Sequence, residues 1–302
     1  MHTPLLVVVV GPTGVGKTAV AIQLARHFRT EIVSADSRQM FREIPVGTAA
    51  PRAEEMQGIK HHFIGNLSVA QRSDAGQWAQ EARTLLDELF QRYPVVICTG
   101  GSGLYIDALL NGMDELPGRD EALRNGLQQL FRERGITALQ EKLQQLDPEY
   151  YAEVDIHNHK RLIRAIEVCL LSGEKYSAKR SGQAKELPFH VIKVGLEMDR
   201  AELYERINQR VDQMMEQGLE SEAKSVMAYR DNNALATVGY RELFDYFDGK
   251  TSLEKAVELI KQHSRNYAKR QMTWWRRDAT IKWFHPQQVD DVIKHIAAVC
   301  AD

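Results

Sequence analysis

Eight residues near the start of the chain, Gly11-Pro12-Thr13-Gly14-Val15-Gly16-Lys17-Thr18, have the types and spacing to hold a phosphate. They fit the pattern G-x-x-x-x-G-K-[ST]. In such a segment, successive backbone N–H groups and the start of a helix cradle phosphate oxygens. Lys17 supplies a cation, and the Thr18 hydroxyl suits a magnesium ion bound with the phosphates. The pattern needs a strand before it and a helix after it. Leu5-Leu6-Val7-Val8-Val9-Val10 is a continuous apolar run of the kind that forms a strand buried on both faces. Val20, Leu24 and Phe28, with Ala21 and Ala25, recur at helical spacing. The chain is therefore expected to bind a diphosphate or triphosphate.

A nucleotide-hydrolysing protein with this loop carries an acidic residue at the end of a later strand, where it organises the water shell of Mg²⁺. The matching strand here, Val95-Val96-Ile97-Cys98, runs into Thr99-Gly100-Gly101 without a carboxylate. The nearest acidic group at a strand tip is Asp36, within Ser34-Ala35-Asp36-Ser37. It reads either as a turn or helix cap or as a general base or magnesium-linked group beside the phosphate.

These residues need a scaffold. Glu31-Ile32-Val33-Ser34 reads as a second strand, Ala75 to Gln91 as an amphipathic helix, and Tyr93 to Cys98 as a third strand ending in Gly100-Gly101-Ser102-Gly103. The β-α-β alternation implies an α/β fold with a parallel sheet and helices on both faces. Ligands then sit outside the carboxyl ends of the strands, where the phosphate loop, Asp36 and Gly100–Gly103 should converge. From Asp120 to Gly173 the sequence turns helical and charged. Leu127, Leu130 and Phe131 form one apolar stripe, and Leu162, Ile163, Ile166, Val168 and Leu170 another. His190 to Leu196 reads as a strand that rejoins the sheet, followed by long helices around Arg200–Gln217, Ser221–Tyr229 and Ser252–Trp275. The expected architecture is a P-loop NTPase-like core over 1–115 and 186–302, with additional C-terminal helices and a helical insertion at 116–185.

Composition narrows the function. The 302 residues are 43% hydrophobic and 26% charged, with a net charge of −2, which excludes a uniformly basic nucleic-acid binder. No run reaches membrane-spanning length, and the N-terminal apolar run lacks the basic start and cleavage site of a signal peptide, so a cytoplasmic protein is expected. Cys98, Cys169 and Cys300 are scattered and read as free thiols. The basic residues cluster. Lys261, Arg265, Lys269, Arg270, Arg276, Arg277 and Lys282 alternate with Tyr267, Trp274 and Trp275. Lys160-Arg161 with Arg164 is a second cluster, and Lys175, Lys179, Arg180 and Lys185 a third. Aromatic side chains among cations favour a polyanion over a merely solvated face.

Taken in order, the segments resemble the tRNA dimethylallyltransferases (tRNA isopentenyltransferases) of bacterial type, over nearly the whole chain. The phosphate loop is similar to that family's G-P-T-x-x-G-K-T. Asp36-Ser37 followed by Ile44 to Ala49 resembles its D-S…[IV]-G-T-A segment, Lys60-His61-His62-Phe63 its [RK]-H-H motif, and Gly100 to Tyr105 its G-G-[TS]-x-L-Y. Asn158 to Glu167 resembles N-x-x-R-x-x-R-A-[IL]-E, and Val238 to Glu242 and Tyr267 to Trp274 complete the series. The chain departs from the pattern at Arg38-Gln39-Met40, at Ala50 where lysine is usual, at His159 for proline and at Ser102 for threonine. No Cys/His spacing of the eukaryotic zinc finger follows Trp283.

The resemblance implies transfer of a dimethylallyl group from dimethylallyl diphosphate to N6 of the adenosine 3′-adjacent to the anticodon, with Mg²⁺ as cofactor and the tRNA anticodon stem-loop as partner. It implies a monomer acting without a membrane. The loop Gly11–Thr18 would then grip a diphosphate leaving group, so a carboxylate for ATP hydrolysis is not needed. Lys17, Thr18 and Arg210, on the Arg206–Arg210 helical face, would stabilise the departing charge, and Asp36 would accept the N6 proton. The target base would be flipped out of the loop into a channel between core and insertion. Asp36, Ser37, Arg38, Gln39, Ser102, Arg124, Lys160, Arg161, Leu162, Ile163, Arg164, Lys269, Arg270 and Trp274 would meet the tRNA. His61 and His62, adjacent on a strand, point to opposite faces and do not suit a metal pair. The alternatives are an adenylate prenyltransferase acting on free nucleotide, an ATP-dependent small-molecule kinase and a non-catalytic RNA-binding protein.

Overall fold

The apolar run near the N-terminus forms the central strand β1 (Leu5–Val10), buried along its whole length. Leu6, Val8 and Val10 enter one hydrophobic layer, and Leu5, Val7 and Val9 the other, as alternation along a strand requires. The structure is a computed structural model that describes residues 3–114, 116–180 and 186–301, without the side chains of 300 and 301. Lys185 of the third basic cluster and the thiol of Cys300 lie outside the described residues.

After β1 come α1 (Lys17–Phe28), β2 (Ile32–Ser34), α2 (Pro45–Thr48), α3 (Ala53–Met56), β3 (His61–His62), α4 (Ala75–Phe90), β4 (Val95–Thr99) and α5 (Gly103–Asn111). A helical stretch follows, with α6 (Glu121–Leu146), α7 (Pro148–Glu153), α8 (His159–Ser172) and α9 (Tyr176–Lys179). The chain then returns through β5 (His190–Leu196), α10 (Arg200–Glu216), α11 (Leu219–Ser225), α12 (Tyr240–Phe247), α13 (Leu253–Trp275), β6 (Lys282–Phe284) and α14 (Val289–Ala301). Short 3₁₀ turns at Met227–Tyr229 and Asn233–Leu235 lie between α11 and α12.

The six strands form one sheet in the order β3-β2-β4-β1-β5-β6, and every neighbouring pair is parallel. This is the α/β, P-loop NTPase-like core. β5 rejoins the sheet beside β1, in register from Leu5↔His190 to Val10↔Gly195. The edge strand β6 and the helix α14 have no counterpart in the sequence reading, and β3 enters it only as the strand on which His61 and His62 would sit. The edge strands are two and three residues long, too short for a period to show. The expected helix Ser221–Tyr229 ends at Ser225 and gives way to a 3₁₀ turn.

The chain divides into two compact units, 1–110 with 186–302, and 111–185. The second therefore begins at Asn111, where α5 ends, five residues earlier than the composition change places it. Its core joins Leu127, Leu139 and Leu143 of α6 to Leu162, Ile163, Ala165 and Ile166 of α8. Leu170 is 42% exposed and falls off that stripe. α6 breaks at Gly135 (φ 73°, ψ −171°).

Candidate active site

The loop after β1 turns on three glycines with positive φ, Gly11 (145°), Gly14 (82°) and Gly16 (103°), and Gly16 caps α1. L side chains rarely adopt such angles. The Lys17 ammonium folds back over the loop and donates to the carbonyls of Gly11 (2.9 Å) and Pro12 (2.8 Å). Burial lowers its pKa to about 8; nearby Asp36 opposes this and Arg210 adds to it. Arg210 comes from α10, where Nη1 donates to Thr13 Oγ1 at 3.2 Å. Burial lowers the pKa of this guanidinium too, against Asp36 and Glu55. Two part-buried cations at one helix start form a site that a multiply charged anion would satisfy. Thr18 lines the same cleft, whose volume is about 1350 Å³.

Asp36 follows β2 and is fixed by its own turn. Its Oδ1 accepts the N–H groups of Arg38 (2.9 Å) and Gln39 (3.3 Å). The cap and base readings of Asp36 are therefore compatible, because the turn occupies one carboxylate oxygen. The end of β4 is stitched against this turn. Ala35 N donates to Thr99 O at 2.8 Å, and Ser37 N to Ser102 Oγ at 3.0 Å. A Cβ on Gly100 would lie 2.2 Å from the Ala35 carbonyl oxygen, so the approach of the two strand ends requires glycine. β4 itself ends in Thr99, whose hydroxyl donates to Val9 O at 3.2 Å.

Helix α13 closes the site. Gln271, 6% exposed, accepts the N–H of Thr13 on Oε1 (2.8 Å) and donates through Nε2 to Gly101 O (2.9 Å). One turn earlier, Tyr267 lines the cleft, and burial followed by the charge of Asp36 pushes its phenol up to about 12. The Arg38 guanidinium donates to the carbonyls of Asn233 (2.6 Å) and Ala234 (3.3 Å), which fixes it within the protein. Gln39 donates through Nε2 to Thr48 O and Ala49 O.

The other residues expected at the tRNA fall in both units, and Arg270 also lines the main cleft. Lys269, Arg270 and Trp274 line a smaller groove of about 440 Å³ with Asn266, Thr273 and Arg277. Trp275 is buried, so of the adjacent pair only Trp274 lines this groove. In the helical unit Lys160 and Arg161 are exposed. Leu162 and Ile163 are 0% and 4% exposed and belong to the core of their unit, so their side chains are removed from the RNA-contacting set. Arg124 and Arg164 both pair with the fully buried Glu167, at 3.0 and 2.9 Å, and Arg164 also donates to Pro117 O.

Of the adjacent histidines, His61 lines the cleft, with Nδ1 2.9 Å from Ile59 O. His62 Nε2 lies 2.6 Å from Glu31, which also accepts from Tyr93 and Arg92. Among the described residues no three His, Cys, Asp or Glu side chains converge as a metal cage. The sequence reading assigned no role to Gln271, Glu222 or Tyr240. Gln271 and Tyr240 lie inside quoted motifs, but their partners are far away in sequence and no spacing connects them.

The IPP transferase family model matches residues 39–278. The tRNA dimethylallyltransferase 1 of Bacteroides fragilis is 47% identical over 298 residues, covering 99% of this chain and 99% of the relative. The tRNA isopentenylpyrophosphate transferase of Bacillus halodurans superposes with a TM-score of 0.74 at 36% identity, over 98% of this chain and 96% of that one. A eukaryotic dimethylallyltransferase acting on tRNA shares the fold, with a TM-score of 0.80 at 24% identity over 94% of this chain and 74% of its own.

Proposed function

Because this chain belongs to the IPP transferase family, a family of transferases, we propose that it moves the dimethylallyl group of dimethylallyl diphosphate to N6 of the adenosine 3′-adjacent to the anticodon of a tRNA. The observation that carries this reading is electrostatic. Two part-buried cations, Lys17 and Arg210, line one cleft with the carboxylate of Asp36, while β4 ends in a hydroxyl followed by two glycines. That set suits departure of a diphosphate beside a proton acceptor better than attack of an activated water on a triphosphate.

In the reaction N6 attacks C1 of the dimethylallyl group, the C1–O bond breaks, and the electron pair leaves with the diphosphate. Lys17, Arg210 and the N–H groups of the loop stabilise that charge as it grows. The N6 lone pair is delocalised into the ring, so loss of its proton must accompany or follow attack. Asp36 accepts that proton, its geometry fixed by the N–H groups of Arg38 and Gln39. The base has to leave the anticodon-loop stack to reach this carboxylate. The groove of Lys269, Arg270 and Trp274 offers cations and an indole for phosphates and neighbouring bases.

The Thr18 hydroxyl, which lines the cleft, is the kind of donor that a magnesium ion bound with phosphates uses. An ion held by the Thr18 hydroxyl, phosphate oxygens and water would add positive charge at the leaving group. No helix among the described residues is long and apolar enough to cross a membrane; a tRNA substrate supports a cytoplasmic location, and a monomer is proposed with it from the family resemblance alone.

The test is incubation with dimethylallyl diphosphate, Mg²⁺ and unmodified tRNA, followed by nucleoside mass analysis. N6-isopentenyladenosine in the tRNA is expected. Prenylation of free adenylate instead, or phosphotransfer from ATP with no prenylated tRNA, overturns the reading.

A further inference from the structure

Behind the cleft, one carboxylate holds the segment that frames the acceptor side. Glu222, on α11, accepts the N–H of Val46 on Oε2 and the N–H of Gly47 on Oε1, both at 2.8 Å. The hydroxyl of Tyr240, on α12, donates to the same Oε1 at 2.6 Å. Tyr240 is fully buried, and burial followed by the charge of Glu222 raises its pKa far above the usual phenol range. It therefore stays protonated and keeps donating. Gly47 packs against this pair so closely that an added Cβ would lie 2.4 Å from the Tyr240 hydroxyl and 2.8 Å from Leu219 Cδ1. The segment is thus fixed by two charge-assisted hydrogen bonds and by a steric fit, and the Tyr240 hydroxyl holds the carboxylate that makes them.

The far end of the segment faces the cleft. The carbonyls of Thr48 and Ala49 accept from Gln39 Nε2 at 3.2 and 3.0 Å. Two carbonyl partners fix the amide orientation of Gln39, which lines the cleft. The Gln39 N–H in turn donates to Asp36 Oδ1. Glu222 lies behind residues 45–49, so its path to the reacting atoms runs through that segment to Gln39 and the Asp36 turn.

We infer that Glu222, with Tyr240, is a positioning residue for the acceptor base: it holds residues 45–49 so that Gln39 and Asp36 present a single arrangement of acceptors to the adenine edge. The inference rests on the reading that a base enters beside Asp36. Loosening the segment leaves the phosphate loop alone, since Lys17, Thr13 and Arg210 are held by other contacts. The effect should therefore fall on the chemical step and spare diphosphate binding.

The experiment compares wild type with Glu222→Gln, Glu222→Ala and Tyr240→Phe in single-turnover prenylation at saturating tRNA and dimethylallyl diphosphate. Binding of dimethylallyl thiodiphosphate, an unreactive analogue, is measured alongside. The rate constant should fall about tenfold in Glu222→Gln, more in Glu222→Ala and about threefold in Tyr240→Phe, with analogue affinity within about twofold of wild type. Adding Tyr240→Phe to Glu222→Ala should cost less than the two single effects combined, because both changes remove the Tyr240–Glu222 contact. Variants as fast as wild type overturn the inference. So do variants that lose analogue affinity in step with rate, since that marks general damage. If Glu222→Ala fails to fold, Glu222→Gln and Tyr240→Phe decide between these outcomes. A wild-type chain that binds the analogue but prenylates no adenosine sinks the underlying reading, and the inference with it.

Discussion

The N–H of Thr13 donates to the side-chain oxygen of Gln271 across 258 positions of sequence, at 2.8 Å. Through its other end Gln271 holds the carbonyl of Gly101. One buried amide on the basic, aromatic helix α13 thus joins the phosphate loop to the loop that braces Asp36. Gln271→Leu would leave a buried N–H and a buried carbonyl without partners, each worth about 1–3 kcal/mol. A stability loss of about 2–4 kcal/mol in denaturant unfolding is expected, with higher KM values for both diphosphate and tRNA. Gln271→Glu keeps the acceptor for Thr13 but sets a carboxylate against the Gly101 carbonyl, so it should not restore activity. Wild-type kinetics in either variant would show that the bridge has no role in assembling the site.

Lys17 gives the diphosphate site a pH dependence. Burial brings its pKa down from 10.5 to about 8. A folded value below the unfolded one means that the charged form destabilises the fold. That cost is present in full below about pH 8 and is relieved as the pH rises from there toward 10.5, where the unfolded chain holds the extra proton. Diphosphate binding follows the opposite trend, because the anion needs the ammonium. Affinity for dimethylallyl thiodiphosphate should fall as pH rises through about 8, approaching about tenfold per pH unit. Arg210 keeps its proton throughout this range, so binding should level off above zero. Calorimetry between pH 7 and pH 10 should show proton uptake near pH 8 in wild type and none in Lys17→Met.

The phosphate loop could be read in the sequence because its cradle is local, although its ties to Gln271 and Arg210 are not. The backbone supplies the cradle, and six apolar residues before it are long enough to declare a buried strand. Asp36 was legible as a position, but not as both a turn cap and a candidate base, since only the coordinates show Oδ1 engaged by Arg38 and Gln39. Arg124, Arg164, Leu162 and Ile163 illustrate the limit. The family resemblance sets all four at the tRNA, yet the fold turns two into core and sets two against Glu167. Charge in a sequence does not say whether its partner is solvent, nucleic acid or another side chain. Gln271 and Glu222 lay beyond reach for a related reason, as Thr13 and Gly101 for the one and Val46 and Gly47 for the other lie 170 or more positions away.

Glu167 should matter to its unit before it matters to RNA. Its carboxylate is fully buried, accepts from Arg124, Arg164 and Asp120 N, and anchors α6 to α8. Removing one member of a buried charge cluster costs about 3–5 kcal/mol. The two arginines are about a quarter exposed, so water recovers part of that and about 2–3 kcal/mol is expected for Glu167→Ala. Hydrogen exchange on the full chain should show faster amide exchange across residues 111–185, with the sheet core protected as in wild type. Unchanged protection in α6 and α8 would mean that the arginines are not committed to Glu167 and are free for phosphates.

Asp36→Asn separates the two roles of that residue. The amide oxygen can still accept from Arg38 and Gln39, so the turn and the loops stitched to it should persist. The proton acceptor is lost, and the single-turnover rate should drop about a hundredfold or more, while tRNA affinity stays within a few-fold of wild type. The substitution also removes a negative charge that supports the Lys17 ammonium against burial. The pH midpoint for diphosphate binding should therefore move below that of wild type. A general base with no electrostatic link to the phosphate loop would lower the rate without moving the midpoint. A residue that only caps a turn would do neither in the Asn variant. Rate and midpoint measured on the same protein thus distinguish the three accounts of Asp36.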